Sequence, residues 1–151
     1  MTGGPPAPGR LLAVDWGEKR FGIARSDEQR VLAQPLTTLT RRAGKRFPMP
    51  QLLTLIHEQG ATGILVSLPL AADGSEGEPA RQARALADEI ARRSNLPVDL
   101  WDERFTTARA LRTVREMGGR TRGRKEDVDA LAATLLLQHY LDAKRPGGNA
   151  L

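Results

Sequence analysis

Cysteine is absent from the 151 residues. Disulfides, thiolate metal sites and a cysteine nucleophile are therefore excluded. Long apolar runs are missing as well: none approaches the roughly 18 residues that a membrane span requires. The start of the chain, Met1 to Gly9, is rich in Gly and Pro and lacks the charged-then-apolar pattern of a secretory leader. It reads as a disordered lead-in. Histidine is scarce. Its two copies, His57 and His139, fall on predicted helices and read as surface or structural residues. A soluble, cytoplasmic, non-membrane protein is expected, with any metal held by oxygen ligands or histidine.

What the chain has in excess is positive charge, +5 with a pI near 10.4, carried mostly by Arg. That balance suits a polyanionic partner, because the guanidinium fork grips phosphate in two places. A genome that simply prefers Arg would leave the same mark. The length fits one domain with a full core.

Leu11-Leu12-Ala13-Val14 is a short apolar run of the kind that forms a buried strand, and it stops at Asp15-Trp16-Gly17. Phe21 to Ala24 and Val31 to Ala33 follow across polar turns, which predicts an antiparallel meander of three strands. Arg41 to Arg46 is a basic connector. Pro50 to Gln59 is predicted helical, with Leu52, Leu53 and Ile56 on one face and Gly60 as a stop. Ile64 to Val66 reads as another buried strand and Leu68 to Glu78 as a long loop. Pro79 to Ser94 is a helix with a small-residue stripe of Ala80, Ala83, Ala87, Ile90 and Ala91. Ser75 and Glu78 have capping-box spacing at its entry. Val98 to Trp101 alternates as a strand.

Thr106 is placed to cap a helix carrying Ala108, Leu111 and Val114 that ends at Gly118-Gly119. Arg120 to Lys125 is a basic, mobile loop, and its alternative reading is a merely solvated one. Asp127 then caps a final helix with Val128, Leu131, Ala132, Leu135 and Leu136 inward, and 146–151 is a disordered tail. Residues 10–145 are thus one α/β domain of the RNase H-like sort. Its central sheet is mixed, meander plus parallel strands, with helices on both faces.

Strand ends at one edge of such a sheet open into a common crevice. Asp15 ends the first strand, Asp102 and Glu103 end the last, and Asp129 shares a helix face with Ala132, Ala133 and Leu136. Burying carboxylates together is costly, and a divalent cation relieves the cost. Oxygen donors of this kind suit Mg²⁺ or Mn²⁺. A two-metal carboxylate site cuts phosphodiesters without Ser, Cys or His. Each acid also has a plain structural role open to it: a turn residue at Asp15, a pair with Arg104 at Glu103, a helix-dipole contact at Asp129. Lys19 and Arg20 lie in the turn beyond Asp15. Arg104, with Thr106 and Thr107 at a helix N-terminus, makes a second anion-friendly spot, and Lys125 a third. Trp16 and Trp101 flank the acids and read as packing residues.

Four sequence pieces stand in order at plausible spacing. They are Asp15-Trp16-Gly17 with Lys19-Arg20 and Gly22; Leu68-Pro69-Leu70 with Asp73 to Gly77; Asp102-Glu103-Arg104 with Thr106-Thr107; and Lys125 with Val128-Asp129 and Ala132-Ala133. Together they resemble the YqgF/RuvX family, pre-16S rRNA nucleases also described as Holliday junction resolvase-like proteins. The resemblance runs from about Leu11 to Ala143. It implies an RNase H-like fold related to RuvC, metal-dependent phosphodiester cleavage and maturation of the 5′ end of small-subunit rRNA. By position, Asp15, Glu103 and Asp129 resemble the catalytic, metal-binding carboxylates. Lys19, Arg20, Arg104 and Lys125 look like substrate-side cations. The choice of Glu103 over Asp102 rests on the family pattern and on strand parity, which pairs Trp101 with Glu103. Trp16, Ser67, Ala71-Ala72 and Phe105 depart from the customary Tyr, Gly, polar pair and Leu.

Three functions compete at this point. A nuclease acts on structured pre-rRNA or on branched DNA, as a monomer or homodimer; a four-way junction asks for a symmetric dimer. An actin-like nucleotide-binding module would need a second such unit. A non-catalytic nucleic-acid-binding ribosome-assembly factor needs no matched acids.

Overall fold

The computed structural model of the chain describes the backbone of residues 8–105 and 125–145, and the side chains among these except at 105 and 125–127. The expected lead and tail, Met1 to Ala7 and Pro146 to Leu151, lie outside the described residues. So do Thr106, Thr107, the helix predicted behind them and residues 120–124 of the basic loop.

Five strands form one mixed sheet: β1 (Arg10–Asp15), β2 (Arg20–Ser26), β3 (Ala33–Thr40), β4 (Ala61–Leu68) and β5 (Val98–Asp102). Their order is β3-β2-β1-β4-β5. The first three pair antiparallel, and β4 and β5 run parallel to β1. β1 and β4 are buried almost throughout, because central strands covered on both faces can be continuously apolar. Pro35 sits on the edge strand β3, where proline is tolerated.

Alternate residues of β1 feed two cores. Leu12, Val14 and Trp16 pack with α1 (Met49–Gln59) and α2 (Glu78–Ser94). Leu11 and Ala13 pack with the last helix, here α3 (Lys125–Lys144). The mixed sheet with helices on both faces is as expected.

Four details differ from expectation. The third strand starts at Ala33, and Val31 and Leu32 are 41% and 63% exposed. They belong to a turn that Asp27 organises, accepting the N–H groups of Val31 at 2.7 Å, Leu32 at 2.8 Å and Gln29 at 3.2 Å. The final helix begins at Lys125, so Asp127 lies inside it and does not cap it. Its inward face is Asp129, Ala132, Ala133, Leu136, Leu137 and Leu141, leaving Leu131 44% exposed. No capping box forms at α2: its N-cap is Gly77, and Ser75 donates its hydroxyl to Asp73 instead, at 2.6 Å. Finally, Pro8 and Gly9 are bonded to the body, Gly9 donating to the Glu28 carbonyl at 2.9 Å.

Candidate active site

β1, β4 and β5 all end at one edge of the sheet, where β2 begins. Asp15 is the last residue of β1 and only 3% exposed. Parity with Leu11 and Ala13 turns it toward α3. Its antiparallel partner is Gly22, whose side would point the same way. A Cβ at Gly22 would collide with the backbone carbonyl oxygen of Asp129. Gly22 therefore lets α3 press its backbone onto β2 at the residue that pairs with Asp15, and Asp129 there is only 1% exposed.

Arg20 lies two residues before Gly22 on the same face of β2. Its Nε donates to Asp129 Oδ2 at 2.9 Å, with the Asp129 side chain 2% exposed. The sequence placed Arg20 toward substrate phosphate; the structure places it on the carboxylate of the helix. Lys19, beside it, is exposed at the tip of the β1–β2 turn.

On the other side of Asp15 is Ser67 of β4, fully buried. Its Oγ accepts the Trp16 backbone N–H at 2.6 Å, tying the chain just past Asp15 to the neighbouring strand. Ser67 pairs in register with Trp101 of β5. Trp101 rests on α3, its Nε1 donating to His139 Nδ1 at 3.0 Å, so His139 is structural as expected. Glu103, 2% exposed, follows in a 3-10 turn (Glu103–Phe105). Two strand spacings, about 10 Å, separate β5 from β1.

Asp102 and Glu103 have different environments. Arg104 folds back on Asp102 with Nη2 at 2.8 Å and Nε at 3.0 Å from Oδ2. Asp102 holds the Arg104 guanidinium above its ordinary pKa. Arg104 Nη1 also donates to the Ala72 carbonyl at 3.2 Å. A Cβ at Gly74 would come within 3.1 Å of that nitrogen. Arg104 thus pairs with Asp102, and the two form a latch on the Ala71–Ser75 loop. That loop is closed on itself, since Asp73 accepts the N–H and hydroxyl of Ser75. The hydroxyl above all holds Asp73 below its ordinary pKa.

Three of the anticipated acids are therefore buried at one edge. Among the described residues, no three acidic or histidine side chains are grouped closely enough to hold a metal ion. The donor set is nonetheless all oxygen, and Arg20 is paired with Asp129. Lys125 is the first residue of α3, and its side chain is outside the description. Gly22 and Ser67 were not singled out as positioning residues from sequence. A glycine inside a predicted strand was the available signal for the first; nothing marked the second beyond its departure from a customary glycine.

The chain matches the family described as "RuvX: Holliday junction resolvase" over residues 9–143. A protein of Roseiflexus sp. (strain RS-1) named "Putative pre-16S rRNA nuclease" is 37% identical, over 91% of this chain and 97% of that one. A protein of the same name from Mycobacterium ulcerans (strain Agy99) is 42% identical, over 94% of this chain and 85% of its own. Among solved structures, T. thermophilus RuvC in complex with a Holliday junction substrate superposes with a TM-score of 0.55. That match covers 89% of this chain and 94% of RuvC at 15% identity, a likeness of fold.

Proposed function

The chain belongs to the RuvX, Holliday junction resolvase, family, and from that membership we propose that it is a metal-dependent nuclease of structured nucleic acid, acting in the cytoplasm on the 5′ end of pre-16S rRNA. The observation that carries the reading is the burial of Asp15, Glu103 and Asp129, at 3%, 2% and 1% exposure, on one edge of a basic protein. The names of the sequence relatives favour RNA over branched DNA. No helix of the described residues is long and apolar enough to cross a membrane.

Asp15, Glu103 and Asp129 are the residues that would hold Mg²⁺ or Mn²⁺, drawing together around it, since they are not already grouped as a metal site. When bound, the metal would supply Lewis-acid stabilisation of the phosphate and lower the pKa of a water, so that hydroxide is available to attack. The remaining work belongs to the protein. Ser67 and Gly22 fix where Asp15 and Asp129 stand. Arg20 balances the charge on Asp129, which a low-dielectric site would otherwise leave costly. Lys19 extends from the turn next to Asp15, where it can neutralise a flanking phosphate.

The test compares wild type with Asp15→Asn on labelled structured RNA and on a four-way DNA junction, with Mg²⁺ or Mn²⁺ present. Cutting should need metal and should fall at least about 100-fold in the variant, the scale of removing a group that acts at the transition state. Cutting that persists in the variant sinks the mechanism. Tight binding with no cutting by wild type favours an assembly factor without catalysis.

A further inference from the structure

The nuclease reading leaves the connector between β3 and α1 without a role. Arg41-Arg42-Ala43-Gly44-Lys45-Arg46 carries four cations and no acid. Residues 42–46 are all exposed. Among the described residues, no carboxylate forms an ion pair with Arg42, Lys45 or Arg46. A run of this kind is often just a solvated loop, so its placement decides the matter.

Its placement is fixed at both ends. Thr40, the last residue of β3, pairs with Arg20, the first of β2, so the connector leaves the sheet at the Asp15 edge. The Arg41 N–H donates to the Lys19 carbonyl at 2.7 Å, and the Arg41 guanidinium to the Glu18 carbonyl. Beyond the connector, Phe47 packs edge-on against Phe21 at 4.7 Å, and Met49 is buried. In between, the Lys45 N–H donates to the Arg42 carbonyl at 2.9 Å, closing a turn. Gly44 supplies the left-handed φ of +75° within it. The turn is thus built and anchored at the edge that carries Lys19, and its three cations are exposed and form no ion pair among the described residues.

We infer that this connector is a second nucleic-acid contact: Arg42, Lys45 and Arg46 grip the sugar-phosphate backbone of the substrate to one side of the scissile phosphate. The grip reads charge and spacing, not bases, and extends the track that Lys19 begins. It rests on the nuclease reading only for the word substrate, since backbone binding is measured without cutting.

The experiment measures affinity for a labelled structured RNA and for a four-way DNA junction across a salt series, in EDTA so that neither is cut. Counterion release gives a slope of about 0.7 to 0.9 per neutralised phosphate. The full-length triple variant Arg42→Ala, Lys45→Ala, Arg46→Ala should bind more weakly and flatten the slope by about 2 to 3. The charge-keeping variant Arg42→Lys, Arg46→Lys should retain the wild-type slope, which separates charge from folding. Arg92→Ala with Arg93→Ala, on the last turn of α2, removes charge elsewhere and should also retain it. Flattening confined to RNA or confined to the junction supports the contact and assigns its backbone. A triple variant with the wild-type slope on both, or an equal loss in the α2 variant, overturns it. Metal-dependent cutting by wild type is scored separately, so the two readings can fail independently.

Discussion

At the scale of single residues, the ion pair of Arg20 with Asp129 has the most consequence. A guanidinium on a carboxylate that is almost fully buried does part of what a metal would do. Arg20→Ala should cost about 1–3 kcal/mol in metal-free buffer. Mn²⁺ or Mg²⁺ should then raise the melting temperature of the variant more than that of wild type, because binding to the native state stabilises it and the Arg20 guanidinium no longer competes. Equal metal-induced shifts in the two proteins would mean that Asp129 is not a ligand. The acids themselves were legible in the sequence, since each ends an apolar run or tops a helical stripe. Their partners were not. A sequence shows that Arg20 follows Asp15 by a turn; only the antiparallel register shows that the turn swings it onto a helix more than a hundred residues later.

At the scale of elements, the turn after β2 shows why one strand was misplaced. Val31 and Leu32 are β-formers with apolar side chains, so they read as strand. Three backbone N–H groups converging on the Asp27 carboxylate outweigh that preference locally. The true strand, Ala33–Thr40, holds a proline and three threonines and lies at an exposed edge, where alternation is weak. The N–H of Leu32 above all, with those of Val31 and Gln29, lowers the Asp27 pKa below 3.8. The ionised form is thus the one favoured by folding. Its contribution is complete above pH 3.8 and is lost as the pH falls through the lower folded value. Asp27→Ala should cost about 1 kcal/mol at pH 7, the exposure of the turn keeping it small. The gap between variant and wild type should close below pH 3.8. Urea midpoints at pH 7 and pH 3 check this, and a gap that is the same at both would remove Asp27 from the account.

At the scale of the whole molecule, one sheet is shared by two cores, and each contains one tryptophan. Trp16 sits with α1 and α2, and Trp101 against α3. A single sheet cannot lose one layer and keep the other, so Trp16→Phe and Trp101→Phe should each unfold in one transition. In each, the remaining tryptophan's fluorescence should coincide with the far-ultraviolet signal. Separate midpoints would show that α3 detaches first. The layered plan was legible because strand and helix periods differ and the buried strands are continuous. The closeness of α3 to β2 was not, since it depends on an absent side chain at Gly22 facing a backbone carbonyl. That contact also sets an order of events during synthesis. Asp15 is made early and waits for Asp129; at about 5–20 residues per second, roughly 6 to 23 seconds separate the two. Through that interval the nascent chain carries its first acid without the helix that completes the edge. On the proposed nuclease reading, the site is complete only once most of the chain has been translated.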